Sequence, residues 1–498
     1  MDWIWSGILL VVLGIIIACS ELVRKKINLS ISFTRKFVHI LTGILIAVTP
    51  LLLQRPYPLL VISAVFIVLN WVAIKKKWMP GMHATQKISY GTVFYPISFF
   101  ILIILLWERH RAILVISMLI MAIADAMAAI IGEHVKNPIR YQFDGEAKSA
   151  QGSAVMLIVT FLITILGLKL FAPFENLSFA LIQAFWIAAI VAIIATACES
   201  ISHKGSDNLT VPLGAAFTLH FMINHPVEQN LVFTIGIGIA LFVAIISYYF
   251  HFLSGSGAVS TFLLGVIVFG TGKWEFSLPI LLFFFLSSLL SKVGKKWKQK
   301  FADTFQKGGQ RDLGQVLANG GVAGIIVLLW NYFPNDVWYF AFIGSIAAVT
   351  ADTWATEIGV FSKIAPRDIL TFKKVPHGTS GGITLLGLIG ALLGSCIIVF
   401  IGSSVTQRFG NVASAMALFA LITGAGLAGS IIDSLIGATI QAQYRCPMCG
   451  KITEKRNHCQ GNPTTLISGV RLIDNDIVNA ICALSGALFT WIAYLLLV

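Results

Sequence analysis

Charged side chains are scarce in this chain of 498 residues: Asp, Glu, Lys and Arg make up 11% of it, whereas 57% is hydrophobic. With a mean hydropathy of +0.86, this balance excludes an ordinary soluble domain and is typical of a polytopic membrane protein. Acids are the rarer sign, with 22 Asp and Glu against 35 Lys and Arg. Because a charge at membrane depth is costly, each acid inside an apolar run is a candidate functional residue.

Cysteine and nucleotide-binding signatures are also sparse. The seven cysteines lie mostly inside apolar runs, which argues against a disulfide framework. No G-x-x-x-x-G-K-[ST] occurs, so a Walker A loop is excluded. Residues 1–19 are apolar but lack the basic start and small-residue cleavage site of a signal peptide, and we predict that they form the first membrane span.

Apolar runs recur along the whole chain and define the expected topology. They start near residues 3, 37, 58, 90, 112, 153, 178, 209, 230, 257, 277, 313, 337, 380, 411 and 474. We therefore expect an all-α polytopic membrane protein, with about 14–16 transmembrane helices in two related helical domains, residues 1–224 and 225–498.

The distribution of basic residues predicts the orientation. Loops that follow odd-numbered runs contain 29 of the 35 Lys and Arg residues. By the positive-inside rule these loops face the cytoplasm, in a bacterial inner membrane or its equivalent, and both termini lie on the opposite side. Because the basic residues are scattered among loops, we expect no nucleic-acid partner.

An internal repeat carries the strongest functional signal. Residues 124–132 read ADAMAAIIG and residues 351–359 read ADTWATEIG, so both fit A-D-x-x-A-x-x-x-G. On a helix this spacing places the acid and the small residues on one face. Downstream, K-S-A-Q-G at 148–152 is matched with H-G-T-S-G-G at 377–382, then E-S at 199–200 with D-S at 433–434, and D-N at 207–208 with D-N at 474–475. This order predicts an internal duplication or a fusion of two related domains, with one site in each half.

An acid at the membrane edge beside a basic loop suits a nucleotide with Mg²⁺, because hard oxygens hold the metal and lysines neutralise phosphate. The candidate catalytic residues are Asp125, Glu199, Asp207, Asp352, Asp433 and Asp474. The candidate Mg²⁺ ligands are Asp125, Glu199, Asp352, Asp433 and Asp476. The candidate nucleotide-binding residues are Arg35, Lys36, His39, Gly132, Lys148, Gly152, Asn208, Gly359, Lys373, Lys374, His377, Gly378, Thr379, Gly381, Gly382 and Asn475. The alternative for any single acid is a satisfied carboxylate that caps a helix, and for residues 35–39 a cluster that snorkels at the membrane edge.

Two local backbone structures are expected to bind anions. The run Gly-Thr-Ser-Gly-Gly at 378–382, leading into a helix, predicts a nest of N–H groups for phosphate. The sequence Asn-Leu-Thr-Val-Pro at 208–212 suggests a broken helix whose freed N–H groups favour an anion. Glycine-rich helix starts also pack tightly in membranes, which is the structural alternative.

A cysteine and histidine cluster lies in the loop 441–470. Cys446 and Cys449 form C-x-x-C, and His458 and Cys459 follow. Four such side chains can supply the tetrahedral ligands of a structural Zn²⁺; the alternative is free thiols in a mobile hairpin.

The first half resembles a known family through four motifs. These are R-K-x-x-H at 35–39, A-D-x-x-A-x-x-x-G at 124–132, K-S-x-x-G-S at 148–153 and E-S followed by D-N-L-T-V-P-L at 199–213. Together they resemble the dolichol kinase and phytol kinase family, over roughly residues 30–222. That resemblance implies an integral membrane enzyme that phosphorylates a long isoprenoid alcohol, typically with CTP.

The second half resembles the integral membrane family that includes the plant phytyl-phosphate kinases. The matching motifs are ADTWATEIG, V-P-x-G-T-x-G-G at 375–382, G-S-x-x-D-S-L-x-G-A-T-x-Q at 429–441 and D-N-D-x-V-N at 474–479. They cover about residues 225–498.

The two resemblances imply consecutive reactions on a phytol-like or geranylgeraniol-like alcohol, first to its monophosphate and then to its diphosphate. The expected cofactors are Mg²⁺ with CTP or ATP, and the expected partners are the alcohol, its monophosphate and membrane lipid. The alternatives are a cytidylyltransferase acting on a phospholipid acid, and a transporter or flippase of phosphorylated lipids.

Overall fold

The computed structural model describes residues 1–27, 31–76, 89–143, 146–293, 310–410, 412–459 and 461–497. They fall into two compact units, Met1–Leu231 and Val232–Val498, whereas the sequence-based boundary lies between residues 224 and 225. Long apolar helices form both units, and short antiparallel strand pairs occur only between helices in this described part.

Eight long helices lead up to the boundary. They are α1 (Asp2–Ile27), α2 (Ile31–Leu52), α3 (Tyr57–Lys76), α4 (Gly91–Leu106), α5 (Arg111–His134), α6 (Ala150–Phe171), α7 (Leu181–Ser200) and α8 (Asp207–Asn224). Helix α5 contains a π-helical segment, Ile120–Asp125, which ends at the aspartate of the first A-D-x-x-A-x-x-x-G motif. Its buried face forms the centre of this unit, packed against α2, α4, α6 and α8.

Within the described residues, eight more helices follow, of which the first crosses the boundary. They are α9 (Val227–Tyr249), α10 (Gly255–Thr271), α11 (Lys273–Lys292), α12 (Leu313–Tyr332), α13 (Asp336–Gly359), α14 (Leu385–Ser404), α15 (Val412–Thr439) and α16 (Asn475–Leu497). The centre of this unit is α13, which is buried along most of its length and packs against α11, α12, α14, α15 and α16.

The helical membrane fold predicted from the apolar runs is confirmed. Each of the sixteen runs corresponds to one of these helices. Within the described residues, eleven helices are long and apolar enough to cross a membrane, and three more are shorter apolar helices, Lys36–Leu52, Gly91–Leu106 and Gly255–Thr271.

The expectation of a broken helix at residues 208–212 is wrong. Helix α8 is continuous from Asp207 to Asn224, with Pro212 at its sixth position. Proline removes one hydrogen bond there, close to the helix start, and the remaining turns are retained.

In the N-terminal unit, the repeated motifs lie on a helix, a strand pair and a capped helix in succession. After α5, strand β1 (Arg140–Tyr141) pairs with β2 (Lys148–Ser149). Helix α6 then begins, and the Ser149 hydroxyl caps it by accepting a hydrogen bond from the Gly152 N–H at 3.1 Å.

The C-terminal unit repeats this sequence of elements. After α13, strand β3 (Arg367–Asp368) pairs with β4 (Gly382–Ile383). Helix α14 begins with a matching cap, in which the Thr384 hydroxyl accepts from the Gly387 N–H at 3.0 Å. Residues 383–387, ITLLG, are therefore the counterpart of KSAQG, and the predicted match of KSAQG with HGTSGG is wrong. The position of Lys148 is taken by Ile383.

The glycines of the repeat allow two helices to approach closely. A Cβ added at Gly152 would lie 3.0 Å from the carbonyl oxygen of Ala128, and one at Gly387 would lie 2.9 Å from that of Ala355. The small residues of A-D-x-x-A-x-x-x-G thus pack against the capped helix that follows the strand pair. This contact holds the C-terminal ends of α5 and α13 in place.

A small β structure, here named the Cys/His ribbon (residues 443–468), lies between α15 and α16. Strand β5 (Gln443–Arg445) pairs with both β6 (Ile452–Thr453) and β9 (Thr465–Ser468). Strands β7 (Asn457–His458) and β8 (Asn462–Pro463) form a second pair.

Candidate functional site

Three carboxylates surround one lysine in the N-terminal unit. The Lys148 Nζ lies 2.5 Å from Glu199 Oε1 and 3.9 Å from Asp207 Oδ2. Asp125 interacts electrostatically with all three groups. The structure therefore brings together Asp125, Lys148, Glu199 and Asp207, which are far apart in the sequence.

Secondary structure positions each of these groups. Lys148 is on β2, and Glu199, only 5% exposed, is near the end of α7. Asp207 is the first residue of α8, where its carboxylate accepts hydrogen bonds from the Ser202 hydroxyl at 3.2 Å and the Asn208 N–H at 2.9 Å. Asp207 thus contributes its charge to the cluster from the first turn of α8.

The electrostatics of the cluster keep the lysine protonated. Burial of Lys148 disfavours its charged form, but the carboxylates of Glu199, Asp207 and Asp125 outweigh this effect and raise the pKa of Lys148 above its ordinary value.

One carboxylate oxygen in this cluster is available to bind a ligand. Glu199 Oε2 is buried and has no hydrogen-bond partner among the described residues. A buried oxygen without a partner is unfavourable unless a ligand compensates it. Three carboxylates against one lysine leave an excess of negative charge, so this donor set fits a hard divalent cation such as Mg²⁺.

Two further predicted residues lie on α2. Lys36, 9% exposed, has its Nζ 2.5 Å from Glu133 Oε2. His39 Nε2 is 3.4 Å from the carbonyl oxygen of Met121 on α5. The side chain of Arg35, the third member of this predicted basic cluster, lies outside the described part of the structure.

A cavity of about 1080 Å³ joins these groups to an apolar space. Its lining includes nine residues predicted for the first site: Lys36, His39, Asp125, Gly132, Lys148, Gly152, Glu199, Asp207 and Asn208. Its apolar lining comes from the first four helices and includes Leu9 on α1, Leu45 on α2, Ile62 on α3 and Phe99 on α4. Within one unit, charged groups and a hydrocarbon-like surface therefore share one space.

Four further cavity residues lie outside the predicted site set, although Arg140 and Glu146 belong to the loop after the first aspartate motif, which the sequence indicated as a place for nucleotide phosphates. Glu133, Arg140 and Glu146 line the same cavity, as does Tyr95, whose buried hydroxyl has no hydrogen-bond partner in the described residues. Glu133 directly follows the small-residue motif, which was the available signal for it. Tyr95 lies in an ordinary apolar run, and nothing in the sequence around it distinguishes it.

The second cluster lies at the equivalent place in the C-terminal unit. Asp433, on α15, interacts electrostatically with Asp352 on α13 and with Glu454 of the Cys/His ribbon. The Asp433 Oδ2 is buried and has no hydrogen-bond partner in the part of the chain that is described. This matches Glu199 Oε2 of the first cluster, so both sites contain a buried carboxylate oxygen suited to a cation.

Glu454 is a member of this cluster that the sequence did not indicate. Its Oε1 accepts hydrogen bonds from the Ser380 hydroxyl at 2.8 Å and the Gln441 side-chain N–H at 3.0 Å. Only the fold of the ribbon brings Glu454 to this position, because it lies in a polar loop without a distinguishing motif.

The glycine-rich loop differs from the predicted phosphate nest. The Thr379 N–H donates to the Pro376 carbonyl at 3.3 Å, and the Gly382 N–H donates to the Thr379 carbonyl at 3.0 Å. The loop then enters β4 rather than a helix, so the predicted helix start directly after the glycines is wrong, and phosphate binding by this loop stays a prediction. Two left-handed glycines shape the loop, Gly378 at φ +84° and Gly381 at φ +79°.

Other predicted residues of the second half surround this loop. A Cβ at Gly381 would lie 2.5 Å from the Ala438 Cβ, so the loop packs closely against α15. His377 is half-buried, and Lys373 and Lys374 are exposed in the turn before it. Gly359 packs against Gly387, with 3.4 Å from its added Cβ to the Gly387 Cα.

Three predicted residues lie at the start of α16: Asp474 directly before it, and Asn475 and Asp476 in its first turn. Asp474 accepts a hydrogen bond from the Ile477 N–H at 3.3 Å and lies 3.9 Å from the Arg456 guanidinium. It therefore caps α16, which was the structural alternative for a single acid, and its catalytic role stays a prediction. Asn475 and Asp476 are half-buried beside it.

The predicted zinc ligands form a tight group. One ligand atom from each of Cys446, Cys449, His458 and Cys459 lies within 4.8 Å of the others. Burial opposes ionisation of Cys446, but hydrogen bonds from the Cys449 backbone N–H and the His458 side chain lower the pKa of Cys446 to about 6. Thiolate character is what a zinc ligand needs.

The fold and these clusters define an integral membrane protein with two related acidic sites, one in each unit. Residues 238–487 match the family described as Integral membrane protein DUF92, and the chain belongs to that family. Together with the curated relatives, this match confirms the resemblances noted from the motifs.

Three curated relatives illustrate this similarity. Protein PGR of Arabidopsis thaliana is 35% identical over 51% of this chain and 93% of its own length. Uncharacterized membrane protein MJ0933 of Methanocaldococcus jannaschii is 33% identical over 38% of this chain and 75% of its own length. Phytol kinase of Synechocystis is 32% identical over 43% of this chain and 89% of its own length. No solved structure matches the chain.

Proposed function

We propose that this protein is a membrane lipid kinase that phosphorylates a long isoprenoid alcohol in its N-terminal unit and the resulting monophosphate in its C-terminal unit. The phosphoryl donor is CTP or another nucleoside triphosphate with Mg²⁺. A relative named phytol kinase supports the substrate class.

The observation that carries the proposal is the cavity of about 1080 Å³ in the N-terminal unit. One part of its lining is a cluster of acids and lysines, and another part is formed by apolar side chains of α1–α4. This combination suits a molecule with a polar head and a long hydrocarbon tail, because the tail is transferred from water while the head meets charged groups.

The residues of the first cluster have complementary roles in this proposal. Lys148 and Lys36 neutralise the phosphates of the nucleotide, and Asp125 and Glu199 hold Mg²⁺, which stabilises charge on the transferring phosphoryl group. A carboxylate, for which Asp207 is available, accepts the proton of the hydroxyl. The alcohol oxygen forms a bond to the terminal phosphorus, the bond from that phosphorus to the leaving diphosphate breaks, and the products are the prenyl monophosphate and the nucleoside diphosphate.

The second reaction is assigned to Asp352 and Asp433 because they repeat the first arrangement. Its acceptor is already an anion at neutral pH, so it needs no strong base but does need its charge neutralised. A cavity of about 50 Å³ in the C-terminal unit is lined by residues of α9–α12 and by Arg311, and neither Asp352 nor Asp433 lines it.

The proposed first reaction is tested with the purified full chain in lipid nanodiscs. Prenols of several lengths are incubated with Mg²⁺ and each nucleoside triphosphate, and the products are identified by mass. Wild type should form prenyl phosphates, whereas Asp125→Asn should lower the rate by about 10²–10³, the usual effect of removing one electrostatic group from such a site. Glu108→Gln, an exposed acid just before the same helix, is the matched control and should keep the wild-type rate.

Two outcomes separate the alternatives, the first read from the same product masses and the second from a leaflet assay in sealed vesicles. A lipid that gains a CMP moiety with release of pyrophosphate would indicate a cytidylyltransferase. Movement of phosphorylated lipid between leaflets without nucleotide turnover would indicate a transporter. Either result would contradict the proposal.

We also propose that both sites face the cytoplasm, since 29 of the 35 Lys and Arg residues lie in loops on that predicted side. The Lys374→Cys variant, changed at an exposed position in the loop after α13, should react with a membrane-impermeant thiol reagent no more than wild type in intact cells and more than wild type in inverted vesicles. Reaction in intact cells would reverse the orientation.

A further inference from the structure

We propose that Cys446, Cys449, His458 and Cys459 bind a structural Zn²⁺, and that this ion holds the Cys/His ribbon so that Glu454 reaches the second acidic site. The zinc site itself does not depend on the proposed kinase activity. Only the effect of Glu454 on turnover rests on that proposal.

The ligand geometry fits this metal. The Cys449 Sγ lies 3.5 Å and the Cys459 Sγ lies 3.2 Å from His458 Nδ1. All four ligand atoms are within 4.8 Å of one another. In a tetrahedral site with Zn–S bonds of 2.3 Å, sulfur atoms are about 3.8 Å apart, so little movement is needed to bind the ion. Three sulfurs and one imidazole are a common set for a structural zinc.

Two tight turns present the ligands in pairs. In the first, the Gly450 N–H donates to the Cys446 carbonyl at 2.9 Å, and the Cys446 N–H donates to the Lys451 carbonyl at 3.0 Å. The second turn joins β7 to β8 and has Cys459 at φ +44° and Gly461 at φ +88°. Each turn ends a strand pair, so one ion bound between them would connect both halves of the ribbon.

The strands of the ribbon provide few apolar contacts to hold its fold, although Tyr444 and Cys446 are buried. Its strands are two to four residues long, and all four residues of β9 are exposed, Leu466 and Ile467 among them. Short strand pairs without a hydrophobic face are marginally stable in water. A structural metal supplies the missing folding free energy in small domains of this kind.

The consequence for the site comes from the position of Glu454. It lies between β6 and β7, four residues before the ligand His458, and it accepts hydrogen bonds from Ser380 of the glycine-rich loop and Gln441 after α15. It also interacts electrostatically with Asp433. Loss of the ion would therefore release both the ribbon and the third carboxylate of the second cluster.

The metal content of the full chain, purified in detergent under reducing conditions, tests the inference. Elemental analysis should find about one zinc ion per chain, as for a four-ligand structural site. Cys449→Ser and Cys459→Ser should each lower this content several-fold. Cys19→Ser and Cys396→Ser, on α1 and α14, are matched controls and should leave it unchanged. A wild-type protein that contains no zinc and takes up none when Zn²⁺ is added would overturn the inference.

Chelation of the wild type provides a second readout that does not depend on folding of a variant. Removing zinc with a strong chelator should increase the rate of proteolytic cleavage within residues 443–468 severalfold, and adding Zn²⁺ should reverse this. Unchanged cleavage after complete removal would show that the ion does not hold the ribbon.

A Glu454→Gln variant separates this inference from the proposed kinase function. It should keep one zinc ion and wild-type proteolysis, while phosphorylation of a supplied prenyl monophosphate slows and requires more Mg²⁺. If the protein binds zinc but phosphorylates nothing, the proposed function fails and the zinc site stands. If Glu454→Gln turns over with the wild-type rate and Mg²⁺ dependence, the positioning role of Glu454 is wrong.

Discussion

Replacing Lys148 with methionine is the most informative perturbation of the first cluster. The side chain is nearly isosteric in length but has no charge, so packing is largely kept. The structure places its Nζ 2.5 Å from Glu199 Oε1 and 3.9 Å from Asp207 Oδ2. Because Glu199 is only 5% exposed, loss of its partner leaves the carboxylate with little solvation.

The expected loss of stability follows from this burial. Removing one partner of a buried ion pair leaves an uncompensated charge and typically costs about 3–5 kcal/mol. Lys148→Met should therefore lower the apparent melting temperature in detergent by several degrees. It should also lower the rate of prenol phosphorylation by about 10²–10³, since the lysine contributes charge where phosphate is proposed to bind.

Thermal unfolding of matched variants checks this reasoning. Lys169→Met removes an exposed lysine near the end of α6 and should melt like wild type. The double variant Lys148→Met/Glu199→Gln should be more stable than the sum of its single variants, with a coupling energy of about 1–3 kcal/mol. If Lys148→Met melts like Lys169→Met, or if the two changes are additive, the ion pair does not stabilise the fold as argued.

Three further predictions follow from the same geometry. The pKa of Lys148 is raised on folding, so the stability that its charge gives the fold is fully present below the unfolded pKa of about 10.4 and is lost only as pH rises through the higher folded pKa. The difference in melting temperature between wild type and Lys148→Met should therefore stay constant from about pH 6 to 9. Its disappearance by pH 9 would contradict this. Gly387→Ala would place a Cβ 2.9 Å from a backbone carbonyl oxygen, whereas Gly424→Ala has no atom within 4 Å; the first should lower the free energy of unfolding by about 1–3 kcal/mol and the second should not, and equal melting would refute the close helix contact. Asp433→Asn should slow phosphorylation of a supplied prenyl monophosphate by about 10²-fold or more and leave prenol phosphorylation near wild type; equal loss of both would show that the sites are not separate.

Much of the first site could be predicted from the sequence because its residues are rare in their surroundings. An acid or lysine within an apolar run has few structural explanations. Asp125 and Glu199 were found on this ground, Lys148 and Asp207 came from the polar segments that flank the runs, and the order of motifs placed all four in one unit. The helices were equally accessible, because sixteen apolar runs have no alternative to helical structure in a membrane.

The register of the second repeat could not be read in the same way. Composition matched KSAQG with the glycine-rich HGTSGG, but the feature that is repeated is a capping hydroxyl three residues before a crossing glycine, Ser149 with Gly152 and Thr384 with Gly387. Capping and close packing depend on which helix lies opposite, and a single sequence does not give this. The residue at the lysine position is consequently Ile383.

Glu454 shows a different limit of sequence reasoning. Its hydrogen bonds to Ser380 and Gln441 span 74 and 13 residues of chain. The ribbon places it there through turns whose own spacing indicates only a metal site. A polar loop residue of this kind becomes visible as a member of the site only when the tertiary structure is known.

The most direct test of two consecutive reactions is the mass of the product that Asp352→Asn forms from a prenol, Mg²⁺ and a nucleoside triphosphate. We expect that Asp352→Asn accumulates the prenyl monophosphate and forms no diphosphate, while Asp336→Asn, at the other end of the same helix, forms both. Diphosphate formation by Asp352→Asn at the wild-type rate, or the absence of any prenyl phosphate from wild type as well, would contradict it.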